Sequence, residues 1–367
     1  MSYNRSHNFS AGPAVLPEEV VEKLAQSLPN FRNSGLGLME LSHRSKVFDD
    51  VILSADQRLR SLMGIPDDYA VLFLQGGASL QFYMTALNLL GPDDCGAYIN
   101  TGTWSTNAIK EAKRCAQVAE VWTPENKKFT LVPKDDDYAL PRKVKYLHYT
   151  SNNTIYGTQF SAPPNKDKRL IADLSSDICS QPIDVSKHCL LYAGAQKNLG
   201  PSGVTAVILS PWAVERSRKV NTLRAGGLPS MLNYALMVEK NSMFNTPNTF
   251  GIFALDCMLE WLEQKGGVSV IQKENAHKAK LIYDVLDSSD FWVPHAQKDS
   301  RSKMNITWRL QNAELEKLFL KDAEANHLEG LKGHRSVGGI RASIYNACPT
   351  ESVETLVDFM KDFANRH

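Results

Sequence analysis

Lys197 sits in LLYAGAQKNLGPSG, residues 190–203, between an apolar run and a loop built from glycine and proline. Lysine is seldom buried unless it is paired. Two readings of this amine are open: a solvated loop cation, or an amine desolvated in a pocket, whose pKa falls until it can condense with a carbonyl. Four other stretches bear on the choice. QGGAS, residues 75–79, follows an apolar run and opens a helical pattern. It is either a plain tight turn or a place where glycines let the backbone approach a ligand and free N–H groups cup an anion. Asp173 ends the apolar run RLIAD, 24 positions before Lys197. As a turn or capping residue it is ordinary; in a crevice its carboxylate keeps a pyridinium nitrogen protonated. Trp104, in TGTWS, is either core or a flat apolar face at a strand end. Thr154, in SNNTIYG, is either a solvated turn residue or a hydroxyl aimed at a ligand. Neither G-x-G-x-x-G nor G-x-x-x-x-G-K-[ST] occurs there, so dinucleotide and P-loop readings lose support.

These residues need a scaffold that brings them to one edge, and the sequence supplies one. YAVLFL, CGAYIN, KYLHYT, RLIADLSS, LLYAGA and VTAVILS read as strands, and LQFYMTALNLL and STNAIKEAKR as helices between them. From about residue 70 to 210 the alternation predicts an α/β fold, with a mostly parallel sheet flanked by helices. PEEVVEKLAQSL and FDDVILSADQRLRSLMG precede it as helices. Past residue 250 the texture changes: the long helices FGIFALDCMLEWLEQKGG and NAHKAKLIYDVLDSS are followed by the strands MNITWRL and IRASIYN and the helices ELEKLFLKDAEAN and ESVETLVDFMKDFANRH. The expected division is a large cofactor-binding domain at 16–258 and a smaller α+β domain made of 1–15 and 259–367.

Lys plus Arg is 41 against 40 for Asp plus Glu, a net charge of +1 with no block of like charge, so neither nucleic acid nor a membrane surface is expected as a partner. The six cysteines lie far apart without a C-x-x-C, which excludes a disulfide framework and a cysteine zinc site. MSYNRSHNFSAGP is polar, and no apolar run approaches the ~18 residues of a membrane span, so a cytoplasmic protein is expected.

A phosphate cup, a ring-stacking face, a hydroxyl, an acid and a lysine, each at the end of an expected strand, are together what pyridoxal 5'-phosphate needs. NFSAGPAVLP, ELSHRS, FLQGGASLQF, NTGTWS, SNNTIYGTQ, ADLSSD, YAGAQKNLGPSG, NTPNTF and HLEGLKGHRSVGGIRASIYNA make the chain resemble, over its whole length, the phosphoserine aminotransferases, a branch of the class V aminotransferases within the fold-type I pyridoxal phosphate enzymes. The resemblance implies that Lys197 carries the cofactor as a Schiff base. It implies that Ala78, Ser79 and Gln196 bind the cofactor phosphate, that Trp104 stacks on the ring, that Thr154 meets the ring hydroxyl and that Asp173 pairs with the ring nitrogen. Asn245 and Thr246 are implied to reach the phosphate of a partner subunit's cofactor, which makes a homodimer with shared active sites. One departure stands out. Some members carry a third glycine followed by arginine in the cup, where this chain has Ala78 and Ser79; the backbone donors remain.

SHRS at 42–45 and GHRS at 333–336 each set His beside Arg, with His327 just upstream of the second. Such clusters are often only solvated charge, yet guanidinium forks suit carboxylate and phosphate. The resemblance implies Arg335 for a substrate α-carboxylate, and His43, Arg44 and His327 for a distal phosphate or for the γ-carboxylate of glutamate. No metal is expected. The implied reaction is transamination between L-glutamate and 3-phosphohydroxypyruvate, giving 2-oxoglutarate and O-phospho-L-serine in serine biosynthesis. Some relatives also take 4-phosphohydroxy-threonine, in pyridoxine biosynthesis. Two rivals remain: a cysteine desulfurase using Cys348, and a non-catalytic binding protein that has kept the fold.

Overall fold

The computed structural model describes residues 5–166 and 169–367. Its main sheet has seven strands: β1 (Ala70–Leu74), β2 (Cys95–Ile99), β3 (Gln117–Trp122), β4 (Val144–Thr150), β5 (Leu170–Asp173), β6 (His188–Gly194) and β7 (Thr205–Leu209). Their order is β1-β7-β6-β5-β4-β2-β3. Strand β7 is antiparallel to both neighbours, and the pairings from β6 to β3 are all parallel. This is the α/β architecture that the alternating pattern predicts.

Every residue of β5, β6 and β7 is buried, as near-continuous apolar strands must be when helices cover both faces. One face packs on α1 (Glu18–Ser27), α2 (Lys46–Met63) and α7 (Thr249–Gln264), and the other on α3 (Gly77–Leu89), α4 (Thr103–Ala112), α5 (Pro211–Leu223) and α6 (Tyr234–Glu239). Edge strand β3, QVAEVW, has no buried residue and was not expected from sequence. A half-exposed edge carries charges where a central strand is apolar, so the signal used for the others is missing. Helix α5 was also not expected, although Ser210 caps Ala213 N–H and Pro211 opens its first turn.

The second layer is a three-stranded antiparallel sheet, β8 (Val293–Pro294), β9 (Asn305–Arg309) and β10 (Ile340–Ser343), with α8 (Val268–Leu286), α9 (Ala313–Ala325) and α10 (Thr350–Arg366) around it. Its core is aromatic. Phe319 stands edge-on to Trp292, Trp308, Phe359 and Phe363 at ring separations of 6.0, 6.2, 5.1 and 5.1 Å, contacts worth roughly 0.5–1.5 kcal/mol each beyond burial. Helix α8 joins the layers: Val268 and Ile271 lie in the core under the large sheet, Ala279 and Ile282 in the second. Lys278 of α8 is fully buried, its ammonium held by the main-chain oxygens of Ile344, Tyr345 and Cys348 at 3.3, 2.9 and 3.1 Å. Near the other end of the chain His7–Asn8 pairs in parallel with Leu328–Glu329. Among the described residues no helix is long and apolar enough to cross a membrane.

Candidate active site

The parallel strands end on one edge, and the loops that leave them line a crevice, the usual ligand site of such sheets. Asp173 is the last residue of β5, level with Thr150 of β4 and Tyr192 of β6. Its carboxylate, 4% exposed, accepts a hydrogen bond from Ser175 N–H at 2.9 Å. Burial pushes its pKa up, while the bonds from Ser175 and the charge of Lys197 pull it back.

Lys197 follows β6 in a turn closed by Ala195 N–H to Val204 O at 2.9 Å and Leu199 N–H to Ala195 O at 3.0 Å. Its Nζ donates to Thr154 Oγ1 at 2.9 Å and stands 5.7 Å from the centroid of the Trp104 ring. Desolvation lowers its pKa from 10.5 to about 8; Asp173 opposes that shift and the positive charge of Arg341 adds to it. A loop cation in water would show none of this. The N-terminal segment lies over the lysine: Ala14 N–H bonds Gln196 O at 2.9 Å.

The QGGAS turn opens α3. Gly76 (φ 93°) and Gly77 (φ 65°) are both left-handed, and a Cβ on Gly76 would come within 2.4 Å of Leu80 Cδ2. Glycine is required at that point for conformation and for space. No acidic residue stands in the first turn of α3, so its free N–H groups and dipole face the crevice unopposed. Ala78, Ser79, Trp104, Asp173, Gln196 and Lys197 line one cavity. Thr154 is buried in the tight turn between Asn152–Asn153 and Thr158–Gln159. Trp104 lies in the first turn of α4, and its indole N–H is buried with no partner among the described residues. An anion cup, an orphaned buried donor, a shielded carboxyl and a low-pKa amine on one cavity fit pyridoxal 5'-phosphate.

The anion-binding candidates divide. His43 and Arg44 lie in the turn before α2, Arg44 exposed and its main-chain N–H bonded to Ser42 Oγ at 3.2 Å. His327 and Arg335 are exposed as well. The arginine that the structure brings to Lys197 is Arg341, on β10, which the sequence reading passed over in favour of Arg335. Its Nη1 donates to Thr154 O at 3.3 Å, its Nε is buried without a partner among the described residues, and burial lowers its pKa. A charge inside the apolar run IRASIYN was the signal that could have found it. His334, also missed, is half-buried, and the charges of Arg341 and Arg335, after burial, lower its pKa. Asn245 and Thr246 are exposed beside the QGGAS turn, where Gln75 Nε2 donates to Thr246 O at 3.1 Å. Cys348 is buried and its thiol is pushed up to about 11, the reverse of a reactive thiolate.

Residues 6–356 match the family model described as Aminotransferase class-V. The phosphoserine aminotransferase of Geobacillus kaustophilus is 49% identical over 363 residues, 99% of each chain. The solved phosphoserine aminotransferase of Bacillus circulans subsp. alkalophilus superposes with a TM-score of 0.94 at 45% identity, covering 100% of both chains. The pyridoxal-phosphate-bound phosphoserine aminotransferase of Trichomonas vaginalis does so at 0.91 and 37%, covering 97% of this chain and 100% of that one.

Proposed function

The chain belongs to the class-V aminotransferases, and on that premise we propose that it moves the amino group of L-glutamate to 3-phosphohydroxypyruvate, releasing 2-oxoglutarate and O-phospho-L-serine. It is a transaminase whose cofactor is pyridoxal 5'-phosphate. When bound, that group supplies an aldehyde to take up the amino group and a ring to store an electron pair. The protein supplies the rest. Lys197 Nζ would be the amine that holds the cofactor and, when free, the base that takes the proton from the substrate Cα and delivers it to the cofactor carbon that receives the amino group. A pKa of about 8 leaves part of that amine neutral at physiological pH. Asp173 keeps the proton on the ring nitrogen, Thr154 orients the ring hydroxyl and Trp104 covers a ring face. The start of α3, at Ala78 and Ser79, takes the phosphate together with Gln196.

Arg341, rather than Arg335, receives the substrate α-carboxylate, since its orphaned Nε and its neighbour Thr154 put a desolvated fork beside the base. His43, Arg44, His327, His334 and Arg335 serve the distal phosphate or the γ-carboxylate, some of them across a homodimer interface. Asn245 and Thr246, exposed in the single chain, reach the partner subunit's cofactor phosphate. The layers act as a large domain, 16–258, and a small one, 1–15 with 259–367. The same cation set suits 4-phosphohydroxy-threonine as a second amino donor. The reading rests above all on Lys197, which shares one cavity with Asp173 and donates from Nζ to Thr154 Oγ1.

The test is a coupled assay with glutamate and 3-phosphohydroxypyruvate. Wild type should turn over with ping-pong kinetics, and Lys197→Ala should lose about 10⁴-fold or more in kcat and fail to trap cofactor with borohydride. Equal turnover by Lys197→Ala would end the reading.

A further inference from the structure

Asp177 closes the sequence DLSSD, one turn beyond Asp173, and the reaction above leaves it unused. It is 6% exposed. Gln159 Nε2 donates to its Oδ2 at 3.1 Å, and Ser151 Oγ is in short contact with its Oδ1. Ser151 is the branch point. Its Oγ also lies 3.0 Å from the main-chain oxygen of Asp173, which already accepts from Ser151 N–H at 3.1 Å. A serine hydroxyl carries one hydrogen, yet this one faces both a carbonyl and a carboxyl oxygen. Both contacts are full two-centre hydrogen bonds only if one of those oxygens donates, and a carbonyl has nothing to donate. The geometry points to Asp177 as a neutral carboxylic acid that donates from Oδ1 to Ser151, which donates to the Asp173 carbonyl, so that Asp173 alone carries the negative charge of the crevice. Oδ2 is then the free acceptor that Gln159 requires.

Asp177 is on this account a positioning residue. Ser151 precedes, and Gln159 closes, the hairpin that carries Thr154, so the acid braces the turn that holds Lys197 Nζ. Two ionised carboxylates in one buried segment would repel and would divide the charge meant for the ring nitrogen. The titratable groups that act on Asp177 are Asp173 and Lys197, and Tyr149 feels it in turn. Burial, helped by Asp173, raises its pKa from 3.8 to about 7 against the bonds from Ser151 and Gln159 and the pull of Lys197. The charge-placing part of this inference rests on the proposed role of Asp173.

Asp177→Asn in the cofactor-loaded protein tests it, because an amide donates and accepts as the neutral acid does. The expected results are kcat/KM within about twofold of wild type at pH 6, an unmoved midpoint when cofactor absorbance is titrated, and loss of one infrared carbonyl band of a protonated acid. The stability sign follows from proton counts. A raised carboxyl pKa means that the folded chain keeps a proton the unfolded chain has lost, so stability falls as pH rises from 3.8 to about 7 and stays reduced above. The Tm of wild type minus that of Asp177→Asn should therefore decline across that window. An Asp177 that is anionic at pH 6 would overturn the inference, showing as no acid band in wild type at that pH and a loss of about tenfold or more in Asp177→Asn with a displaced absorbance midpoint. If Asp177→Asn does not fold, the band's shift in Ser151→Ala decides, an unshifted or absent band overturning it. Asp173→Asn separates the two readings: full turnover there would sink the role of Asp173 while the band still reported on Asp177.

Discussion

Asp173 ends a buried strand and Thr154 follows another, whereas Arg44, His327 and Arg335 sit on turns open to solvent. The first pair is fixed by ladder bonds and packing on both faces, and the charges it needs are met inside one chain. The second group is held by hydrogen bonds within its turns, such as Arg44 N–H to Ser42 Oγ and Gly338 N–H to His334 O, and among the described residues the side-chain ends of Arg44, His327 and Arg335 have no hydrogen-bond partner. On the proposed function the difference separates two jobs. Chemistry on a ring demands a rigid, desolvated frame, while capture of a doubly anionic substrate tolerates, and for entry requires, cations that stay hydrated until it arrives. Arg341 crosses the divide: it belongs to the second layer yet is held as the first is.

Arg341→Ala tests that divide most severely. Removing a desolvated fork should lower kcat/KM for glutamate by about 10²-fold, against a smaller and salt-sensitive loss for Arg44→Ala, and steady-state assays at two ionic strengths compare them. Equal, salt-insensitive losses would erase the contrast. Next in size is Gly76→Ala, which forces a left-handed side chain against Leu80; a strain of about 1–3 kcal/mol should weaken cofactor affinity about tenfold or more, measured by equilibrium dialysis, without altering the substrate loops. The smallest effect is a pH slope. Because burial depresses the pKa of Lys197 to about 8, capture of the cofactor aldehyde by cofactor-free protein should quicken with pH, with its midpoint at about 8, before levelling off; stopped-flow absorbance would read a midpoint above 10 if the amine were solvated.

The same contrast explains what was readable beforehand. Strands β1, β2 and β4 to β7 announced themselves because burial on both faces writes an unbroken apolar run, and Lys197 and Asp173 stood out as charges that ended such runs. Edge strand β3 wrote no run and was missed. On the second layer the sequence offered two arginines six positions apart, Arg335 among glycines and Arg341 within a strand, and chain order alone did not say which one faces Lys197. That choice depends on the register of β10 against β9, where Arg341 lies opposite Thr307, and on the hairpin meeting it from the other layer. The donor chain through Ser151 was invisible for a similar cause: hydroxyls and amides have no periodicity, and their partners lie 22 to 26 residues apart.

The segment that overlies Lys197 sets a timetable for biosynthesis. Ala14 N–H meets Gln196 O, and Ala11 O receives Tyr345 OH from a residue 334 positions further on. At roughly 5–20 residues per second of translation, residues 11 to 14 wait on the order of half a minute for the last of their partners. Closure of the crevice thus belongs to the end of synthesis, and a nascent chain halted before β10 has its lysine under a segment not yet pinned by Tyr345 and lacks Arg341.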